Sequence, residues 1–307
     1  MRPLRFGTQV AAAATGAEWT DLARRIEQLG YGTFSMPDHV VGGGLASFPA
    51  LAAAAAVTTT LRVGNLVLAN DFRNPLMLAR EAATVDLLSG GRLELGLGAG
   101  WLRRDYESLG IPYDRGAVRV DRLREAIVLL KRLFAEDEVT FDGRHYRLRG
   151  AVAKPKPVQR PHPPLLVAGG GPRLLGLAGE HADIVALIAQ VGAEGKMRDP
   201  RQVTFAAARE QVAWVKESAG ARFAEVELSV FLDVILTDDA ERSRAEYAQR
   251  AEVDAAILRD SLYRPIGSVD DVRAHVLRAR DELGITYFTI RGPHVEELAP
   301  LVRELAA

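Results

Sequence analysis

Apolar and polar positions along the chain alternate between two periods, one suited to strands and one to helices. Short apolar runs at Leu4 to Val10, Gly32 to Met36, Leu61 to Leu68 and Leu93 to Leu97 read as strands. Between them, apolar residues recur at helical spacing. From Glu18 to Leu29 the residues Trp19, Leu22, Ile26 and Leu29 share one helical face before Gly30 stops it. Pro49 to Thr58 and Pro75 to Leu88 read as further helices, the second with proline at its first position. A long amphipathic helix follows from Ala117 to Phe134.

The alternation resumes after residue 164. Strands are predicted at Leu165 to Ala168, Asp183 to Leu187, Val226 to Leu236 and Ile285 to Ile290. Helices are predicted from Pro172 to Glu180, Arg201 to Ala219, Asp238 to Arg259, Ser268 to Leu283 and His294 to Leu305. Eight strands alternating with helices favour a closed α/β barrel, the (β/α)8 TIM barrel, over a doubly wound open sheet. The chain, 1–307, is then one barrel domain. Two stretches break the rhythm. Residues 136–164 carry Asp142-Gly143 between alternating runs and then a cluster of prolines, which predicts a hairpin and an extended connector inserted into the barrel. Ile188 to Pro200 is a polar, glycine-containing loop long enough to shape a substrate pocket.

Composition narrows the function. Of 307 residues, 48% are hydrophobic and 26% charged, as in an ordinary globular protein. A formal net charge of -1 with mixed signs leaves no electrostatic footprint for nucleic acid or an anionic membrane, so the expected partner is a small molecule. There is no cysteine, which removes disulfides, thiolate metal sites and a cysteine nucleophile; redox chemistry must come from a bound cofactor. The opening MRPLRFGTQV is too polar for a signal peptide and Leu51 to Val57 too short to span a bilayer, so a cytoplasmic protein is expected.

In a barrel of this type, chemistry sits at the carboxyl ends of the strands. That rule sorts the candidates. Ser89 to Trp101, SGGRLELGLGAGW, runs from a buried strand into Gly98, Ala99 and Gly100, a bare backbone that suits either a tight bend or a ligand. Asp38 and His39 follow the second strand, where a histidine beside a carboxylate suits general acid or base work. Ala168 and Gly169 to Gly171, followed by Pro172 and a helix, gather backbone N–H groups at a helix start and suit a phosphate. Asn70, Asp71 and Arg73 follow the third strand and suit either the lining of the mouth or a hydrogen-bonded loop; Arg103 and Arg104, just after Trp101, suit either a ligand's anionic tail or plain exposure to solvent. Arg291 and His294 follow the last strand and are substrate candidates. His181 and Asp183 lie at the wrong end. His145 and His162 lack ligand spacing, so no metal is expected. No Walker lysine, GxGxxG fingerprint or serine elbow is present.

As an ordered set, the PDH after the second strand, FRNP, GGRLELGLGAGW, YESLGIPYDRGAVRVDRLREAI, KPKPVQRPHPPLLVAGGGP and HADIV resemble the bacterial luciferase-like monooxygenase superfamily, over most of Arg5 to Leu187. The resemblance implies a barrel that binds FMN or the deazaflavin coenzyme F420, often as a homodimer. The PDH segment is most similar to deazaflavin-dependent oxidoreductases, which implies that Asp38 and His39 sit over the reactive ring. There His39 would exchange a proton as hydride moves, and Asp38 would orient it or touch the cofactor. The resemblance also implies a non-prolyl cis peptide near Leu66 and Val67 against the ring, and a cofactor phosphate on Gly98 to Gly100 and Ala168 to Pro172. Two departures stand out: Trp101 replaces a glutamate of the sugar-phosphate dehydrogenases, and Gly42 to Gly44 replace a tryptophan. Trp101 and the open loop argue for an apolar or roomier pocket, so a small alcohol, ketone or activated alkene is expected rather than a sugar phosphate. The alternatives are an FMN-dependent monooxygenase served by a separate reductase and a non-catalytic flavin-binding protein.

Overall fold

The structure is a computed structural model that describes residues 2–197 and 199–306. Its centre is a closed barrel of eight parallel strands: β1 (Arg5–Gln9), β2 (Thr33–Met36), β3 (Arg62–Asn65, resumed at Leu68–Ala69), β4 (Leu93–Gly98), β5 (Leu165–Gly169), β6 (Ile184–Leu187), β7 (Glu227–Asp233) and β8 (Ile285–Arg291). Each strand pairs in parallel with the next, and β8 closes on β1. The TIM barrel expected from the alternation is the observed fold.

Helices wrap the barrel: α1 (Gly16–Gln28), α2 (Ser47–Ala56), α3 (Pro75–Leu88), α4 (Arg103–Leu109), α5 (Gly116–Ala135), α6 (Pro172–His181), α7 (Phe205–Ala219), α8 (Ala240–Ala251), α9 (Ala255–Arg259), α10 (Val269–Leu283) and α11 (Ala299–Ala306). Local chemistry starts several of them. Thr15 caps α1, Asn74 precedes Pro75 at the start of α3, and Ser268 with Asp271 forms a capping box on α10. Outward-facing strand residues such as Phe34, Leu93, Leu95 and Leu97 are fully buried beneath this layer. None of the described helices is long and apolar enough to cross a membrane.

The amino-terminal end of the barrel is filled by charge. Arg5 bridges Glu94 at 2.6 Å and Glu227 at 2.7 Å, its guanidinium carbon lies 3.6 Å from the Tyr287 ring centre, and Arg62 adds a second contact to Glu94 at 2.8 Å. The opposite end is open and carries the site.

β3 is interrupted where the Leu66–Val67 peptide is cis, the position the family resemblance implies. The interruption pushes this segment against β4. A Cβ on Gly96 would stand 1.8 Å from the Asn65 carbonyl oxygen, and one on Gly98 would stand 2.7 Å from Val67 Cγ2. These glycines exist because another part of the chain approaches too closely for a side chain. Gly100 is similar: its φ is 71°, and a Cβ there would meet the Tyr106 hydroxyl at 2.1 Å. The bareness read as room for a ligand is therefore partly filled by Val67 and Tyr106.

Other elements depart from expectation for local reasons. The helix expected over Asp238 to Arg259 breaks at Glu252, whose φ is 54°, and restarts after Asp254 caps α9. Arg201 to Ala219 opens as a short 3-10 turn, and α7 begins only after Thr204 accepts a bond from the Ala207 N–H. β7 stops at Asp233, and Ile235–Leu236 pairs outside the barrel with Ile266–Gly267. The final helix begins at Ala299 instead of His294. The hairpin forms as expected, Val139–Asp142 against Arg147–Ala151. It is tethered to α5 by the N–H groups of Arg144, His145 and Tyr146, all donated to the Glu125 carboxylate.

Candidate active site

The carboxyl ends of the strands enclose a cavity of about 1170 Å³. Asp38, His39, Leu66, Val67, Gly98, Ala99, Gly100, Trp101, Ala168, Gly169, Gly170, Gly171, Pro172 and Arg291 all line it. So does the loop after β6, through Ile188 to Val191, Gly195 and Met197. His294 is not among the lining residues; its ring faces Glu297 at 3.4 Å.

The geometry corrects the Asp38–His39 pairing. Neighbouring residues that leave a strand point to opposite sides. Asp38 turns toward the β3–α3 connection, where both its oxygens meet Arg73 at 2.5 and 2.8 Å and one also accepts the Ala69 N–H. His39 turns toward α4, where its Nδ1 lies 2.7 Å from Oδ2 of Asp105. The other oxygen of Asp105 accepts the N–H groups of Val40 and Val41, each at 2.9 Å. Asp105 is buried with both oxygens used. It fixes the imidazole by one nitrogen and leaves Nε2 without a hydrogen-bond partner among the described residues. The Trp101 ring meets the imidazole edge to face, with centres 5.4 Å apart.

Asp105 is the residue that sequence reasoning missed. It sits on α4, a seven-residue helix whose sequence RRDYESL has no apolar stripe to announce it. Its one signal is a carboxylate shortly after the glycine turn. Arg73, read as a loop residue, proves to be the partner of Asp38. Arg119 also went unremarked: it lines the cavity, donates to the Ala99 carbonyl at 3.1 Å and stacks 4.2 Å from the Tyr113 ring centre.

At the β5–α6 connection, Gly171 caps α6 with no side-chain hydrogen bond, and Pro172 occupies the first turn. The N–H groups of a first helical turn lack intrahelical partners, and this start lines the cavity. Gly170 is required for another reason: a Cβ there would stand 2.2 Å from the Ile188 carbonyl. Gln190 and Gln211 both donate to the Gly170 carbonyl, at 3.0 and 3.2 Å, and hold the turn open. Arg173 is drawn off to Asp121 at 2.7 Å.

Across the barrel floor, Leu166, Ala168, Ile184, Ala186 and Tyr287 form a separate apolar cluster joined by Leu66, Val67 and Ile188. On the far wall, Arg291 is not a free substrate cation. Both arms meet Asp233, at 2.9 and 2.8 Å, and its guanidinium stacks 3.9 Å above Phe231. Arg264 reaches the same carboxylate at 2.9 Å, so two guanidinium groups share one Asp. Tyr263 completes this wall, and burial pushes its phenol well above the ordinary range.

A parallel barrel with an oriented imidazole, an apolar floor and an open helix start around one cavity defines a ligand-binding TIM-barrel architecture of the enzyme type. The chain belongs to the luciferase-like monooxygenase family, whose model matches residues 2–288. It is 33% identical over 190 residues to the F420-dependent glucose-6-phosphate dehydrogenase of Intrasporangium calvum, covering 59% of this chain and 56% of that protein. The chain thus spans about half the length of the curated relatives it matches. Among solved structures, the F420-dependent tetrahydromethanopterin reductase of Methanopyrus kandleri superposes with a TM-score of 0.78 at 17% identity, covering 97% of this chain and 98% of that one. The monooxygenase RslO1 of Streptomyces bottropensis superposes with a TM-score of 0.76 at 24% identity, covering 99% and 98%. Both share the fold.

Proposed function

We propose that this protein is an F420-dependent oxidoreductase that exchanges hydride between the deazaflavin and a small alcohol, ketone or activated alkene. The observation that carries the reading is His39: its Nδ1 is anchored on Asp105, and its ring lines the cavity that holds both the apolar floor and the α6 start. The residues present fit the cofactor. A flat apolar floor of Leu66, Val67, Ala168, Ala186 and Ile188 suits a ring system, and the uncapped start of α6 at Gly171 suits its phosphate. The identity to a dehydrogenase named for F420 supports deazaflavin over FMN.

When bound, the deazaflavin supplies or accepts the hydride. The chain supplies the proton. For a ketone, protonated His39 donates from Nε2 to the substrate oxygen as hydride reaches the carbonyl carbon, while Nδ1–H stays with Asp105. For an alcohol the neutral ring accepts the hydroxyl proton at Nε2, and the Asp105 carboxylate stabilises the imidazolium that forms. Asp38, locked to Arg73, shapes the wall beside β3 and does not orient the histidine. A homodimer belongs to the same reading, and light scattering tests it.

Separate fluorescence titrations with F420 and FMN test the cofactor. F420 should bind and, once reduced, lose its hydride to a ketone from a mixed panel. Tight FMN binding with no F420 binding overturns the proposal in favour of a monooxygenase; F420 binding without turnover on any alcohol, ketone or enone favours a carrier.

A further inference from the structure

His39 and Trp101 stand between two hollows. Beside the main cavity lies a second cleft of about 370 Å³, walled by Ala11, Val41, the Gly42 to Gly44 loop and Leu45. Pro37, His39, Trp101 and Leu102 line both spaces, so the two hollows adjoin at the imidazole and the indole. We propose that this cleft is the subsite for the body of the substrate, and that it takes a flat, uncharged, apolar group such as a fused aromatic or alicyclic ring. The group would present its carbonyl or conjugated alkene to His39. This rests on the oxidoreductase reading, and it adds the substrate class.

Four observations carry it. First, among the described residues the walls hold no ionisable side chain apart from His39, whereas the arginines of the mouth (Arg119, Arg173, Arg264 and Arg291) line the other cavity. An anionic substrate would find no lysine or arginine among the described residues of these walls, and the side chains other than His39 and Trp101 offer a hydroxylated one no hydrogen bond. Second, Gly42 and Gly43 have φ of 97° and 73°, and no atom stands within 4 Å of an ideal Cβ on either. The loop therefore presents bare backbone to open space, a surface on which a planar ring can lie. Third, the loop is fixed, not slack: the Leu45 N–H donates to the Ala11 carbonyl at 3.0 Å, and a Cβ on Gly44 would stand 3.1 Å from the same oxygen. Fourth, Leu45 and Trp101 stay 41% and 36% exposed at the rim, large apolar groups left in water where a ligand would cover them. The volume falls at the lower end of small-molecule sites, about 300–1,000 Å³, which suits one bicyclic group.

The test uses 2-acetonaphthone as probe and the quenching of tryptophan emission as readout, in the full chain, with and without F420. Trp101 is one of three tryptophans. The probe should quench saturably in the cofactor-free protein, and Trp101→Phe should abolish most of that quenching. Leu45→Asp should weaken probe affinity tenfold or more while the F420 affinity changes less than twofold; circular dichroism verifies that the variant folds. F420 and the probe should bind together. Competition between them, an unchanged probe affinity in Leu45→Asp, or no probe binding at all overturns the subsite. Failure of F420 to bind, with the probe results intact, overturns the cofactor assignment and leaves the cleft standing.

Discussion

Nδ1 of His39 and Oδ2 of Asp105 lie 2.7 Å apart, although 66 positions separate them in the chain. In the proposed reaction the contact decides which nitrogen works: with Nδ1 held, proton exchange falls to Nε2. Asp105→Asn keeps the shape but removes the charge that stabilises the imidazolium. Turnover should fall about 100-fold with little change in cofactor affinity, because the neutral amide no longer balances the charge that forms on the ring during proton exchange. Steady-state kinetics across pH, with F420 titration alongside, check this. Equal turnover in Asp105→Asn and wild type would remove Asp105 from the mechanism.

Asp38 and Arg73 form a mostly buried pair at the edge of the cavity. Arg73→Met leaves a carboxylate with only the Ala69 N–H, and should cost about 2–3 kcal/mol in denaturant unfolding. Asp38→Asn combined with Arg73→Met should recover most of that loss, because the unpaired charge is then gone.

Gly96 admits the Asn65 carbonyl at a distance no side chain tolerates. Gly96→Ala should destabilise the barrel by about 3 kcal/mol or more and disturb cofactor binding through the Leu66–Val67 segment. Gly16→Ala, at the start of α1 with open space around it, should stay within about 0.5 kcal/mol of wild type. Thermal unfolding of the two variants side by side gives the comparison.

His275 sets a pH limit on stability. Burial beneath Phe205, with the positive charge of Arg278 adding to it, pushes its pKa down to about 4, against a donated bond from Nε2 to the Leu262 carbonyl. The folded protein favours the neutral ring, while the unfolded chain protonates near pH 6.5. Stability from this residue is complete above about pH 6.5, declines as pH falls and bottoms out near pH 4, a loss of about 2 kcal/mol after allowing for the ring's partial exposure. In His275→Gln, unfolding free energies between pH 7 and 4 should lose that part of the slope.

How much of this was legible in the residues follows from what each period encodes. The apolar runs at Leu93 to Leu97 and Leu165 to Ala168 are buried by β-sheet neighbours that any barrel supplies, so strand positions and the identity of the mouth came through. The Asp38–His39 pair misled because adjacency in sequence is not adjacency in space: after a strand the two side chains diverge, one to Arg73 and one to Asp105. Neither partner has a local signature, and α4 lacks the apolar stripe that reveals a helix. The glycines of β4 were noticed for the right reason, missing side chains. What fills the gap at Gly96 and Gly98 is another segment of chain, and only tertiary contact discloses that.

The charge cluster of Arg5, Glu94 and Glu227 has a kinetic consequence. It stoppers the barrel at the end away from the site, so traffic in both directions uses one doorway. A molecule resting on the Leu66–Ile188 floor enters and leaves past the residues of the mouth, His39 and Trp101 among them.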